Sequence, residues 1–245
     1  MTALGPGVAV GKFELVRPLG RGGFGEVWEA LDGGMERRVA LKFLTRTPDA
    51  EELARFRREA KSVAGLEHPN IARVFETGEW QGVPYIALEY VDGEPLSKTA
   101  LTLRAAAAAI RDAAVGLAFA HAHGILHRDV KPANLMIDKG GRMRVMDFGL
   151  ARVTKAGSTI TTSGLMVGTP SYMSPEQARG EVHALDGRAD VWGLGATLYE
   201  LVEGRPPFDG KDAIEIAMKI LTEEPPLPLK APVELGAVIM KCLEK

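Results

Sequence analysis

Residues 127–134, with the sequence His-Arg-Asp-Val-Lys-Pro-Ala-Asn, place a carboxylate, an amine and an amide in one short segment. Asp129 and Asn134 lie five positions apart, and the ring of Pro132 stiffens the chain between them. Such a group of polar side chains suits the handling of protons and of charged oxygens. This segment is therefore the first candidate for an active site.

A hairpin is predicted directly after this segment. Two short β-favouring stretches, 134–137 and 142–146, flank an Asp-Lys-Gly-Gly turn. The hairpin returns the chain, so that Asp147, in Asp-Phe-Gly, should lie beside Asn134. One oxygen from each of these side chains suits a hard cation such as Mg²⁺. The alternative, an ordinary turn at Asp-Phe-Gly, is disfavoured by its position one hairpin after the polar segment.

A glycine-rich stretch near the N-terminus suits phosphate binding. Residues 20–25 read Gly-Arg-Gly-Gly-Phe-Gly, and β-favouring stretches precede and follow them. A dinucleotide-binding loop of this pattern would be followed by a helix. The order instead favours a hairpin lid, in which glycines let backbone N–H groups approach phosphate oxygens. A plain glycine-rich turn is the remaining alternative.

Lys42 and Glu59 are two opposite charges that both fall on apolar patterns. Lys42 ends the run Val-Ala-Leu-Lys, and Glu59 lies on or beside the inward stripe of a helix predicted over 50–66. A buried charge is costly unless a partner meets it. We expect the two to pair, with Lys42 also contacting phosphate oxygens. The alternative for Lys42 is a solvent-facing position on an edge strand.

These residues require a β-rich first part and a helical second part. The predicted strands are 13–17, 26–31, 38–44 and 84–91, with a hairpin signal at Asp32-Gly33-Gly34. Asp49 is the expected cap of the 50–66 helix. The sequence Asp-Gly-Glu-Pro at 92–95 then breaks the pattern, and the boundary between the two parts is placed there.

Helices dominate the second part. Apolar residues spaced by three and four from Leu103 to Ala120 predict a helix, with Thr102 as its cap. The uncharged run 191–199 predicts a helix that is buried on all sides. Asp190 stands at its start, where it could act as a simple cap. A last helix is expected around 233–243, with an exposed apolar face.

Composition excludes several classes of protein. The 245 residues are 46% hydrophobic and 25% charged, with a net charge of −2. This is the mixture of an ordinary globular chain, and it carries no electrostatic sign of nucleic-acid binding. A single cysteine excludes a disulfide framework and suits a reducing, cytoplasmic compartment. No uncharged run is long enough for a membrane helix.

The motifs together resemble a eukaryotic-type protein kinase, most closely the bacterial Ser/Thr branch. The glycine-rich loop, the strand lysine, His-Arg-Asp, Asp-Phe-Gly and Ser-Pro-Glu at 174–176 occur in the kinase order from about residue 13 to the end. The resemblance implies an α+β, two-lobed kinase fold, with a β-rich N-lobe (13–91) holding one regulatory helix and a mainly helical C-lobe (92–245).

The same resemblance implies the catalytic roles. Asp129 would accept or orient the proton of the substrate hydroxyl, and Lys131 would contact the γ-phosphate, as in Ser/Thr kinases. Lys42 would hold the α- and β-phosphates and pair with Glu59. Asn134 and Asp147 would bind Mg²⁺, with Mn²⁺ as a substitute. Thr169, in a Gly-Thr-Pro segment, would steady the catalytic pair.

The resemblance also implies an ATP pocket, with Leu88 as gatekeeper and Glu89 and Val91 presenting backbone groups to the adenine edge. The pocket residues are Leu19, Gly20, Gly22, Gly25, Val27, Ala40, Lys42, Leu88, Glu89, Val91 and Met136. Ordinary core packing is the alternative explanation for the apolar ones. His127 and Phe148 are expected to stack with Val63 and Val74 in a structural role. Asp190 would hold the backbone of residues 127–134, the catalytic loop.

Regulation is expected in the hydroxyl-rich segment 158–163, because Arg128 precedes Asp129 as in kinases controlled by phosphorylation. Thr161 and Ser163, then Thr162, are the expected autophosphorylation sites, and a flexible polar loop is the alternative.

The expected partners are proteins with Ser or Thr acceptors and a second kinase copy. Glu176 is expected to be buried, and no arginine follows Arg205 to grip it. A truncated C-lobe, from a longer membrane-anchored parent, is therefore also expected.

Two other functions compete with an active Ser/Thr protein kinase. A pseudokinase scaffold would bind nucleotide without transferring phosphate, but such domains usually lose the lysine or one of the two aspartates, and all three are present here. A small-molecule phosphotransferase is disfavoured by the segment 168–176, which resembles the protein-substrate shelf of kinases.

Overall fold

The computed structural model describes residues 3–22, 25–44, 50–148, 170–181 and 184–245. The chain forms two compact units. The first unit comprises the described residues within 3–67 and 72–91, and the second unit those within 68–71, 92–148 and 170–245. The short segment 68–71 thus belongs with the second unit, although the residues on both sides of it belong to the first.

The first unit is built on an antiparallel sheet with the order β1-β2-β3-β4-β6-β5. Its strands are β1 (Ala9–Val10), β2 (Phe13–Gly22), β3 (Gly25–Asp32), β4 (Arg37–Leu44), β5 (Val74–Trp80) and β6 (Val83–Glu89). The four strands predicted from sequence all form, and β3 and β4 meet at the predicted Asp-Gly-Gly turn. The sequence analysis missed β5 and the short β1.

One face of this sheet is packed as a hydrophobic core. Its residues include Trp28 and Ala30 of β3, Leu41 and Phe43 of β4, and Tyr85 of β6. Phe43 and Tyr85 are paired across the strands, and their ring centroids lie 5.8 Å apart. Because side chains alternate along a strand, the intervening residues of β3, β4 and β6 lie on the opposite face.

Helix α1 (Ala50–Ala64) packs against β5, as the predicted helical face requires. Its buried positions include Phe56, Ala60 and Val63, which follow the helical period. The expected cap, Asp49, lies outside the described residues.

The second unit is mainly helical and carries one small sheet, with the order β7-β8-β9. The sheet consists of β7 (Gly93–Pro95), β8 (Leu135–Asp138) and β9 (Met143–Val145). The helices are α2 (Leu103–Ala122), α3 (Pro175–Arg179), α4 (Gly187–Glu203), α5 (Ala213–Thr222) and α6 (Val233–Cys242). Thr102 caps α2 as predicted, since its side chain accepts a hydrogen bond from Ala105 N at 3.3 Å.

Helix α4 is the buried central helix that the uncharged run predicted, but it begins earlier. Asp186 is its cap, and its Oδ1 accepts a hydrogen bond from Arg188 N at 2.9 Å. The simple-cap interpretation of Asp190 is therefore wrong, because Asp190 lies inside the first turn. At the other end of the chain, α6 exposes Val233 and Val238, as expected of its apolar face.

Two further expectations concern the burial of Glu176 and the presence of membrane-spanning helices. The expectation that Glu176 is buried is wrong, because this residue, at the start of α3, is only partly buried. Among the helices of the described ranges, none is both long and apolar enough to cross a membrane.

Candidate active site

The second unit brings three of the predicted catalytic and metal-binding residues into direct contact. Lys131 Nζ donates to Asp129 Oδ2 at 2.9 Å, and Asn134 Nδ2 donates to the same oxygen at 3.0 Å. Asn134 Nδ2 also donates to the backbone oxygen of Asp129 at 2.8 Å. The side chains of Asp129 and Lys131 stay 14% and 15% exposed. The carboxylate is thus held from two sides and remains accessible.

Strands β8 and β9 form the predicted hairpin and bring Asp147 back to Asn134. Leu135 pairs with Val145, and Met146 N donates to Asn134 O at 2.8 Å. Asp147 then adopts a left-handed backbone conformation, with φ of 55°. A non-glycine residue in that region is strained and is held there by its surroundings.

The donor set at this position fits a hard cation. Both hydrogen bonds that fix the Asn134 amide use Nδ2, so that its oxygen is turned the other way. An amide oxygen and the Asp147 carboxylate are oxygen ligands of the kind that Mg²⁺ accepts. In the part of the chain that the structure describes, no group of three or more His, Cys, Asp and Glu side chains could hold a metal ion. A site here would rest on these two ligands together with substrate or water oxygens.

Asp190 holds the backbone of the catalytic loop, as the kinase resemblance implied. Its carboxylate is 1% exposed and accepts hydrogen bonds from His127 N at 2.8 Å and from Arg128 N at 2.7 Å. Burial would raise the pKa of this carboxyl, but the hydrogen bond from His121 and the two backbone donors outweigh it and lower the pKa.

His127 has a structural role. Its ring lies 4.8 Å from that of Phe148, centroid to centroid. Nε2 lies 2.7 Å from the Met146 oxygen, and Nδ1 accepts a hydrogen bond from Asp129 N at 3.2 Å. A nitrogen facing a carbonyl must carry the proton, and a nitrogen accepting from an N–H must not. Both ring nitrogens of His127 are therefore engaged by backbone groups.

His121 is a member of this network that the sequence analysis missed. Its Nε2 lies 2.7 Å from Asp190 Oδ2. Its ring packs against Gly187 so closely that an added Cβ there would meet His121 Nδ1 at 2.7 Å. The available signal was spacing, because His121 lies four residues after Leu117 on the inward stripe of α2.

The first unit gathers the predicted ATP-pocket residues by strand register. Val27 pairs with Lys42, and Ala40 pairs with Leu88. Cross-strand partners point to the same face. These four residues therefore share the face opposite the core cluster, and Glu29, which pairs with Ala40, lies on the same face. Lys42 is half-buried there.

The glycines of the lid differ in what they require. Gly20 pairs with Val27 and would have open space around a Cβ, whereas Gly22 pairs with Gly25 at the end of the hairpin. Gly25 has φ of 153°, and a Cβ there would lie 1.9 Å from the Phe43 oxygen. Strand packing alone therefore requires glycine at position 25.

The remaining predicted residues are placed as follows. Glu89 ends β6, and its carboxylate accepts a hydrogen bond from Arg73 N at 3.1 Å. Leu19 is exposed on β2, Val91 is buried just after β6, and Met136 lies on β8 of the second unit.

Glu59 is half-buried on α1, and its pairing with Lys42 stays a prediction. Thr161, Thr162, Ser163 and Thr169 lie outside the described residues.

Comparison with known proteins decides the family. A protein-family model described as "Protein kinase domain" matches residues 13–245. The chain belongs to the protein kinase family. Members of this family use ATP and a divalent metal ion and act on protein substrates.

Relatives of this kinase domain include bacterial Ser/Thr kinases. Serine/threonine-protein kinase PknB of Mycolicibacterium smegmatis is 43% identical over 250 residues, which cover 96% of this chain and 40% of that protein. PknA of Mycobacterium tuberculosis is 40% identical over 248 residues, covering 96% of this chain and 57% of PknA. The chain spans about 40% of the length of these PknB relatives.

Solved structures agree with this assignment. The PknI kinase domain of Mycobacterium tuberculosis is 30% identical to this kinase domain and has a TM-score of 0.76. The match covers 99% of this chain and 91% of the PknI chain. The two-lobed kinase fold expected from the motifs is therefore confirmed.

Proposed function

We propose that this kinase domain transfers the γ-phosphoryl group of ATP to Ser and Thr hydroxyls of proteins in the cytoplasm. The observation that carries the proposal is the arrangement of Asp129, Lys131 and Asn134, in which one accessible carboxylate is held by an amine and an amide. A proton acceptor must be positioned before the hydroxyl reaches it. Asp129 is held in position by Lys131 and Asn134.

Asp129 receives or orients the proton of the attacking hydroxyl. Lys131, 2.9 Å from Asp129, places a positive charge beside the position where the γ-phosphoryl group must arrive. This charge offsets the negative charge of the transferring group, and the carboxylate keeps the amine from swinging away. The side chain of Asn134 supports the same carboxylate.

Asn134 and Asp147 would hold Mg²⁺ or Mn²⁺. The ion supplies neutralisation of the phosphate charge. Asn134 would thus serve two purposes, because its amide nitrogen fixes Asp129 and its oxygen would bind the ion. Asp147, in its left-handed conformation, is held one residue after a backbone hydrogen bond to Asn134.

The first unit would bind the nucleotide. Val27, Ala40 and Leu88 supply apolar surface on the sheet face described above, and Lys42 supplies a positive charge on it. An adenine ring needs an apolar surface and the phosphates need a cation. The hairpin of Gly20, Gly22 and Gly25 lies next to these residues in the sheet.

Labelled ATP and dephosphorylated casein test this function. Wild-type protein should label casein, and Asp129→Asn should lower turnover on the order of 10²-fold or more. Asp112→Asn, which changes a carboxylate paired with Arg111 on the surface of α2, should match the wild type. We also expect autophosphorylation within 158–163, at Thr161, Ser163 or Thr162, when the same reaction is mapped by mass spectrometry.

Two results would contradict the proposal. Unchanged turnover in Asp129→Asn would remove the assigned role of this carboxylate. A wild-type protein that binds Mg·ATP but transfers no phosphate would favour the scaffold function of a pseudokinase.

A further inference from the structure

Arg128, the residue before Asp129, has a strained backbone that side chains hold from both sides. Its φ is 64°, in the left-handed region that non-glycine residues rarely adopt. Its N–H donates to Asp190 Oδ1 at 2.7 Å, and its carbonyl accepts a hydrogen bond from Gln177 Nε2 at 2.8 Å. Asp190 is on α4 and Gln177 is on α3, so two separate elements fix one residue of the catalytic loop.

The bond from Gln177 acts on the peptide group that joins Arg128 to Asp129. The oxygen of this peptide is held by Gln177, and its N–H donates to His127 Nδ1 at 3.2 Å. Because a peptide group is planar, holding both ends fixes the orientation of the plane. That orientation sets ψ of Arg128 and φ of Asp129, and so the direction in which the Asp129 side chain leaves the backbone.

The choice of glutamine at position 177 is not explained by the local helix. Gln177 and Ser174 form a capping box, in which Gln177 Oε1 accepts from Ser174 N at 3.1 Å and Gln177 N donates to Ser174 Oγ at 3.3 Å. Glutamate would serve this box equally well. Its negative charge would also suit the N-terminus of a helix.

Unlike an ionised carboxylate, an amide can make both contacts at once. Its oxygen serves Ser174 N, and its nitrogen serves the Arg128 carbonyl. A carboxylate can accept the first hydrogen bond but cannot donate the second. Gln177 is 6% exposed, so that a lost partner is not replaced freely by solvent.

We propose that Gln177 is a positioning residue for phosphoryl transfer. Its amide holds the peptide plane between Arg128 and Asp129, and thereby aims the carboxylate of Asp129 at the substrate hydroxyl. It also ties α3, which follows the segment 170–174, to the catalytic loop. This inference rests on the proposed function of Asp129.

The test uses Gln177→Glu, which keeps the shape and the acceptor of the capping box. At pH 8 we expect kcat on casein to fall about 10- to 100-fold, with KM for ATP within about twofold of the wild type. Burial and the facing carbonyl should raise the pKa of the new carboxyl, and its protonated form can donate again. The ratio of mutant to wild-type kcat should therefore rise as the pH is lowered from 8 to 6.

Three further variants complete the experiment. Gln177→Met, which cannot donate at any pH, should show a low ratio that does not change with pH. It should also speed amide hydrogen exchange of residues 126–130. Thr102→Ala, which removes the cap of α2, should lower the unfolding midpoint but leave kcat and this exchange unchanged. Asp129→Asn is assayed in parallel to test the proposed function itself.

The outcomes separate the two ideas. Suppose that Asp129→Asn is inactive, but that the ratio of Gln177→Glu to wild-type kcat does not change with pH or that Gln177→Met keeps wild-type kcat. The positioning role is then wrong, and the proposed function stands. If Asp129→Asn is fully active, both are wrong. A ratio that rises at low pH only for Gln177→Glu supports the inference.

Discussion

The catalytic loop of the second unit and the sheet of the first unit place their residues by different means. In the loop, single polar atoms hold single backbone groups, as Asp190 does for His127 and Arg128. In the sheet, continuous antiparallel register places Val27, Ala40, Lys42 and Leu88 on one face. The loop should therefore be sensitive to the loss of one hydrogen bond, and the sheet to changes in side-chain size.

The largest effect is expected from Asp190→Ala, which removes the acceptor of two backbone donors and of His121. Each buried donor left without a partner costs about 1–3 kcal/mol, out of about 5–15 kcal/mol for a whole domain. Arg128 would also lose a contact that holds its left-handed backbone. We expect a large fall in the unfolding midpoint, measured by calorimetry, and turnover at least 10²-fold below the wild type.

Asp186→Ala is the matched control for that experiment. It removes an exposed carboxylate four residues earlier, whose contacts cap α4 and pair with Arg188. Loss of a cap costs about 0.5–2 kcal/mol and should leave turnover intact. Equal effects of the two variants on turnover would mean that Asp190 acts only through the stability of α4.

A smaller and more selective effect is expected when alanine is replaced by leucine on either face of the sheet in the first unit. Ala40 lies on the face with Lys42, whereas Ala30 is fully buried in the core cluster. Ala40→Leu should raise KM for ATP about tenfold or more, because the added atoms occupy the space proposed for the adenine ring. Ala30→Leu should instead destabilise the unit by about 1–3 kcal/mol through overpacking.

Measurement of KM for ATP and of the unfolding midpoint for both variants distinguishes the faces. If Ala30→Leu raises KM as much as Ala40→Leu does, nucleotide binding does not depend on the face that the register defines.

Sequence reasoning succeeded where local patterns determine structure. The hairpin between Asn134 and Asp147 followed from β-favouring stretches around a glycine turn, and α2 followed from apolar spacing and the Thr102 cap. β5 was missed because its sequence, Val-Phe-Glu-Thr-Gly-Glu-Trp, contains a glycine and lacks a clear alternation. Its pairing with β6 is a tertiary effect that the local pattern does not contain.

The long-range polar contacts could not be predicted in the same way. Asp190 and Arg128 are 62 residues apart in the chain, and Gln177 and Arg128 are 49 apart. No spacing rule connects such positions, and only the resemblance to kinases pointed to Asp190. The sequence analysis did not identify Gln177, and its hydrogen bond to Arg128 depends on how α3 packs on the loop.

One measurement tests the central claim most directly, namely that Asp129 serves chemistry and Asp147 serves metal binding. Calorimetric titration with Mg·ATP should give Asp129→Asn roughly the wild-type affinity, although its turnover is low. Asp147→Asn should bind at least about tenfold more weakly, which corresponds to about 1.4 kcal/mol, because a metal ligand loses its charge. Equal loss of affinity in both variants, or none in Asp147→Asn, would contradict the account.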